Sequence, residues 1–186
     1  RLHLWDKLEG TIQRFFSDNP RLQHLFVNLD DPGVRKLVNN TPGLTYVGFG
    51  ETSEDATYRA LNVEVDGMHS SFTVTKDGEI LGDIQLQVPG LYNTHNALGA
   101  IACAHVHGVP FAVIQKAMQG FKGLENRFTL VEKGQVQVVK DYISHPTGIQ
   151  RVLEAASSIA KGRITAVFKP YRFTMIHYLQ DEYIYV

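Results

Sequence analysis

Apolar positions recur at helical spacing over Leu8–Phe16, where Leu8, Ile12, Phe15 and Phe16 share one side. Leu25-Phe-Val-Asn-Leu is a short apolar run that reads as a buried strand. It is closed by the turn Asp30-Asp-Pro-Gly, and Gly33–Asn40 reads as a helix. Thr45-Tyr-Val-Gly-Phe-Gly is a second strand ending on glycine. From Tyr58 to Val88 the period shortens to two, which predicts strands at Arg59–Val65, Ser70–Thr75 and Asp83–Val88. Asp-Gly pairs in Val65-Asp-Gly-Met and Lys76-Asp-Gly-Glu mark the tight turns of a β-meander.

Helices return at Asn93. Asn96–His107 is small and apolar, with Gly108 as its C-cap, and Pro110–Gly120 is opened by proline with Val113, Ile114 and Ala117 inward. Gly123-Leu-Glu-Asn-Arg-Phe is a loop and the expected domain boundary, dividing the chain into 1–127 and 128–186. Beyond it come a strand at Gln135–Val139, a loop at Asp141–Thr147, a helix at Gly148–Lys161 and a strand at Arg163–Phe168. A strand–helix–strand run of about 35 residues predicts a parallel, Rossmann-like sheet with a crevice at its strand ends.

Charge narrows the field. Eighteen Lys and Arg against nineteen Asp and Glu leave a net charge of −1, which disfavours nucleic acid or an anionic membrane as partner. No apolar run reaches the roughly 20 residues that span a bilayer. A single cysteine, Cys103, excludes an internal disulfide framework and fits a reducing compartment, so a cytoplasmic protein is expected. The chain begins at Arg1 and ends within an aromatic stretch, so it reads as a piece of a longer protein.

The candidate chemistry sits at loop–helix junctions. Asp141 can accept from ribose hydroxyls and His145 can orient an anion, or Asp141 and Thr147 simply cap the following helix. Asn93 and Asn96 flank the start of the alanine-rich helix. Their carboxamides suit an adenine edge, and equally suit N-caps. Arg127 can clasp a phosphate or form a surface ion pair, and Arg172 can bind a carboxylate or stay solvated. The eight histidines form no zinc-type spacing, and no phosphate loop of the form G-x-x-x-x-G-K-[ST] is present.

The order of these segments is more specific than any one of them. Val88-Pro-Gly-Leu-Tyr-Asn-Thr-His-Asn-Ala resembles the V-P-G-x-H-N-x-x-N-A segment of the Mur ligases, the ATP-dependent amino-acid ligases of peptidoglycan precursor synthesis. Phe121-Lys-Gly-Leu-Glu-Asn-Arg-Phe resembles their F-x-G-x-x-x-R-F junction between central and C-terminal domains. Val139-Lys-Asp-Tyr-Ile-Ser-His-Pro-Thr and Val167-Phe-Lys-Pro-Tyr-Arg-Phe-Thr resemble D-D-Y-x-H-H-P-T and V-F-Q-P-H-R-Y-T, most closely those of the members that add L-alanine.

The resemblance implies part of a central ATP-binding domain, a mixed sheet with a meander and helices, then the start of a Rossmann-like C-terminal α/β domain. It implies ATP and Mg2+ as cofactors, and UDP-N-acetylmuramate and an amino acid as substrates, joined through an acyl phosphate. On the matched positions Asn93 and Asn96 would meet adenine, Arg127 phosphate and Asp141 ribose, while Arg172 and His145 would face the substrates; no metal ligand is assigned. Departures stand at Tyr92, Lys140, Ser144, Tyr171 and Met175, where the family has His, Asp, His, His and Arg. They leave open a different amino acid or peptide, or a binding module without catalysis.

Overall fold

The computed structural model describes residues 2–133 and 136–186. Helix α1 (Leu2–Ser17) begins a turn and a half before the expected Leu8. Strand β1 (Phe26–Asn28) is followed by α2 (Pro32–Asn39) and β2 (Val47–Gly50). The local chemistry starts α2 cleanly: Asp31 accepts from the Val34 N–H at 2.9 Å and proline occupies the first turn, where its missing donor costs nothing. β1 and β2 pair in parallel, Phe26 opposite Val47, and β2 pairs in parallel with β3 (Tyr58–Asp66).

The meander continues through β4 (His69–Lys76) and β5 (Glu79–Leu86), giving a five-stranded mixed sheet in sequential order. Both Asp-Gly turns stand where the period predicted. Asp77 (φ 50°) and Gly78 (φ 85°) have the two positive φ angles that suit a two-residue hairpin. Helices α3 (Leu91–Val106) and α4 (Phe111–Gly120) follow. The α4 face is narrower than expected: Ile114 is buried, whereas Val113 is exposed and Ala117 is too.

The chain resolves into two compact units that interleave in sequence. One comprises Arg1–Asn62, Thr73–Asp83 and His95–Ile114. Its core includes Val27, Leu29 and Ala56, against which Leu25, Val34 and Val38 pack, so α2 is held on β1 by burial. Tyr58, Val74, Leu98 and Ile101 in this unit are fully buried.

The other unit comprises Val63–Phe72, Ile84–Thr94 and Gln115–Val186. Among the described residues of this unit the expected parallel sheet is not found. The strand after the boundary loop is β6 (Thr129–Lys133), which pairs antiparallel with β7 (Val136–Lys140). Gln135, expected to open β7, lies outside the described residues. Helix α5 (Pro146–Ile159) stands where expected, with Ile149, Val152, Leu153, Ala156 and Ile159 half-buried and Ala155 buried. Arg163–Phe168 is exposed and forms no strand. A parallel strand needs a hydrogen-bonded neighbour and cover on both faces, and among the described residues none pairs with this segment. Two short helices, α6 (Phe173–Tyr178) and α7 (Gln180–Ile184), end the chain. No helix among the described residues is long and apolar enough to cross a membrane.

Candidate functional site

The β6–β7 register builds the site in the second unit. Thr129 lies opposite Lys140, so Phe128 and Asp141 form the next rung beyond the paired strands. The Phe128 N–H donates to Asp141 Oδ2 at 2.8 Å, and the Tyr142 N–H donates to the Asn126 carbonyl at 2.8 Å. Asn126 (φ 59°) and Phe128 (φ 47°) take left-handed backbone to make this corner. The Asn126 N–H is satisfied by Thr129 Oγ1 at 2.9 Å. Arg127, between them, is thereby delivered to Asp141.

The electrostatics of the pair are incomplete. Arg127 Nη1 stands 3.8 Å from Asp141 Oδ1, an ion-pair distance longer than a hydrogen bond, and donates instead to the Tyr142 carbonyl at 3.4 Å. Asp141 is 7% exposed at its side chain, and its Oδ1 is buried with no hydrogen-bond donor. A buried carboxylate oxygen without a donor is costly, and a ligand hydroxyl would satisfy it. The Arg127 side chain is 53% exposed.

Tyr92 and Asn93 border the same corner. Burial raises the Tyr92 phenol above its ordinary pKa, and the Asp141 charge adds to this, while the Asn93 side chain and the Arg127 charge oppose it. The Asn93 carboxamide donates through Nδ2 to the Pro89 carbonyl at 2.8 Å, fastening the first turn of α3 to the preceding loop. Because α3 begins at Leu91, Asn93 and Asn96 lie inside the helix and neither is its N-cap. Asn96, in the other unit, is exposed on α3.

The remaining candidates take simpler roles. His145, and neither Asp141 nor Thr147, is the N-cap of α5; its Nδ1 accepts from the Thr147 N–H at 3.3 Å. Arg172 is exposed, lies 5.4 Å from the centre of the Tyr171 ring, and precedes α6 without capping it. The Tyr171 ring meets Tyr142 edge-on at 6.3 Å, which brings the Arg172 segment to the residue beside Asp141. Among the described residues no three His, Cys, Asp or Glu side chains gather as metal ligands.

A second polar centre, in the first unit, went unread in the sequence. Asp30 accepts from the Glu51 N–H at 2.6 Å, the Ser53 N–H at 2.9 Å and the hydroxyls of Thr52 (2.8 Å) and Ser53 (2.7 Å). Burial acts to raise its pKa, but these hydrogen bonds together outweigh it and hold the carboxyl at about 2. A Cβ at Gly50 would fall 2.6 Å from Asp30 Oδ1, so glycine is needed for this approach. The anchored loop presents Glu51, whose Oε2 is 3.1 Å from His95 Nε2 on α3. Its signal was the Thr-Ser pair following a strand-terminal glycine, within reach of an acid at the end of the neighbouring strand.

Residues 7–104 match the Mur ligase middle domain. The UDP-N-acetylmuramate–L-alanine ligase of Agrobacterium fabrum is 36% identical over 186 residues, 96% of this chain and 39% of that protein. The enzyme of the same name from Symbiobacterium thermophilum is 34% identical over 158 residues, 83% of this chain and 33% of its own length. The chain therefore spans well under half the length of these curated relatives. Among solved structures, UDP-N-acetylmuramate-alanine ligase from Thermotoga maritima superposes with TM-score 0.65 at 25% identity, over 83% of this chain and 35% of its own. A murein peptide ligase from Psychrobacter arcticus gives TM-score 0.68 at 22% identity, over 92% and 36%, and supports the fold. By the middle-domain match and these relatives, the chain belongs to the Mur ligase family.

Proposed function

We propose that the full-length protein is a cytoplasmic, ATP-dependent ligase of peptidoglycan precursor synthesis that joins L-alanine to UDP-N-acetylmuramate. In this reading residues 1–127 are the end of its central, ATP-binding domain and 128–186 the start of its C-terminal, amino-acid-binding domain. The observation that carries it is the buried Asp141 Oδ1, which has no donor and stands 3.8 Å from a half-exposed arginine. An acceptor beside a cation is the pairing that a ribose hydroxyl and a phosphate would complete.

The reaction has two steps. The sugar's lactyl carboxylate attacks the γ-phosphorus of ATP, giving an acyl phosphate and ADP. The alanine amino nitrogen then attacks the acyl carbon, phosphate leaves, and the nitrogen loses its proton as the amide forms. Mg2+, when bound, screens the phosphate charges. This chain's own residues work by positioning. Asp141 accepts from the ribose, Arg127 turns its fork to phosphate, and Asn96 offers a solvent-facing carboxamide to adenine. Asn93, whose Nδ2 is engaged on Pro89, braces the start of α3 and leaves its oxygen for the base. His145 and Arg172 face the substrates.

The test is Asp141→Asn and Arg127→Ala in the full-length protein, with the dissociation constant of a non-hydrolysable ATP analogue measured by calorimetry. Asparagine still offers an oxygen to the Phe128 N–H, so the corner should stay folded. Loss of a hydrogen bond to a charged group predicts about tenfold weaker binding or more for each. Unchanged binding in both variants would falsify the site.

A further inference from the structure

The loop anchored by Asp30 carries a side chain that reaches α3. Glu51 is held at both of its peptide groups: its N–H donates to Asp30 Oδ2 at 2.6 Å, and its carbonyl accepts from Arg59 Nη2 at 3.3 Å. The carboxylate therefore leaves from a fixed base, and its Oε2 stands 3.1 Å from His95 Nε2, with the two side chains 30% and 27% exposed. His95 belongs to a row with Leu98, Ala102 and His105, the spacing that lines up one side of a helix. Leu98 and Ala102 are fully buried, and the Tyr58 hydroxyl lies 2.8 Å from His105 Nδ1. Beside the row the Phe49 ring of β2 sits against Gly99, where a Cβ would fall 2.9 Å from its Cζ. All of these residues belong to the first unit. Packing thus holds the middle of α3, and the contact with Glu51 holds the turn before it.

Asn96 directly follows His95 and is exposed. Successive helical residues are turned by about 100°, so whatever fixes His95 also fixes the direction of Asn96. We propose that Glu51 and His95 are positioning residues of the base site, a strut that sets the phase of α3 and so aims the Asn96 carboxamide. The inference rests on the assignment of Asn96 to adenine and adds two residues that act through it. A carboxamide reads a base by presenting a donor and an acceptor together, and a small rotation of the helix spoils both. Base preference is therefore the property the strut controls. Burial of Leu98 and Ala102 keeps α3 on the sheet when the strut is cut, so folding and base preference separate by mutation. Glutamine at position 51 offers both an oxygen and an N–H, and so can meet either tautomer of the imidazole.

The experiment uses the full-length protein with Glu51→Ala, Glu51→Gln, His95→Ala, the double alanine variant and Asn96→Ala. The readouts are calorimetric binding of a non-hydrolysable ATP analogue and of its guanine counterpart, and KM for ATP against kcat. Each single alanine at the strut should weaken the adenine analogue about fivefold and raise KM, with little change in kcat, the effect of one lost hydrogen bond. Binding of the guanine analogue should barely move, so the preference for adenine falls by the same factor. The double variant should be no worse than either single one, and Glu51→Gln should keep most of the preference. Parental preference in both strut variants, with Asn96→Ala losing it, overturns the strut and leaves the adenine assignment standing. Equal weakening of both analogues reduces Glu51 and His95 to structural contacts and overturns their positioning role. Glu51→Gln as poor as Glu51→Ala overturns the hydrogen bond as the cause. Parental preference in Asn96→Ala overturns the adenine assignment and the strut with it.

Discussion

Asp30→Asn tests whether one carboxylate organises the loop that follows β2. The wild-type side chain receives hydrogen bonds from three backbone amides and two hydroxyls across Glu51–Ser53, and its pKa falls from 3.8 to about 2. At about 1.4 kcal/mol per pH unit this drop corresponds to about 2 kcal/mol of preference for the charged form. Asp30 is only partly buried, so screening by solvent reduces the figure to about 1–2 kcal/mol. Asparagine keeps the shape but turns an amide group toward backbone donors, so the full effect should appear as destabilisation.

The sign follows from the direction of the shift. A carboxyl whose pKa is depressed by folding stabilises above its unfolded value, near 3.8, and loses that contribution as pH falls through about 2. The wild-type advantage over Asp30→Asn should be constant above about pH 5, about half its full size near pH 3, and small by about pH 2. Urea unfolding midpoints of the full-length protein across this range provide the global readout, and hydrogen exchange at Glu51, Thr52 and Ser53 the local one. A difference under about 0.5 kcal/mol near pH 7, or one that persists unchanged to about pH 2, would refute the anchoring role.

Two further substitutions probe packing. Gly90→Ala places a Cβ at φ 86° against Tyr92 and Ala155, and should cost about 2 kcal/mol or more in urea unfolding while also weakening nucleotide binding. Tyr58→Phe removes the hydroxyl that lies 2.8 Å from His105 Nδ1 in an otherwise fully buried side chain. It should cost about 1 kcal/mol in thermal unfolding, and no cost would mean that the bond to the half-buried imidazole is replaced by water.

The central part of the fold was legible because local signals agreed with each other. Two Asp-Gly turns, a period of two between them and a glycine-terminated strand specify a meander whatever surrounds it, and the strands stand within a few residues of the expected bounds. Helix α3 was legible in type but not in phase. Its start at Leu91 uses no side-chain cap from Asn93; that carboxamide reaches back to Pro89 instead, an interaction invisible to a capping rule. At α5 the reverse occurred. Histidine, not among the preferred caps, holds the N-cap position because the following proline already fixes the first turn.

The candidate site shows where reading by residue type stops. Arg127 and Asp141 were each identifiable as chemistry-bearing residues, but fourteen positions separate them, and only a hairpin brings them to 3.8 Å. Thr-Leu-Val-Glu-Lys is too short for its alternation to stand out, and its pairing with β7 is a non-local property that no window of sequence contains. The same limit works in the opposite direction at Arg163–Phe168, whose apolar content promised a strand and whose residues are instead exposed without one. Apolar content marks a segment suited to burial; a partner strand decides whether burial happens. In this unit the antiparallel register, more than the composition of any segment, therefore determines the site. A change that slipped Thr129 by one residue against Lys140 would leave every candidate side chain in place in the sequence while removing Phe128 from Asp141.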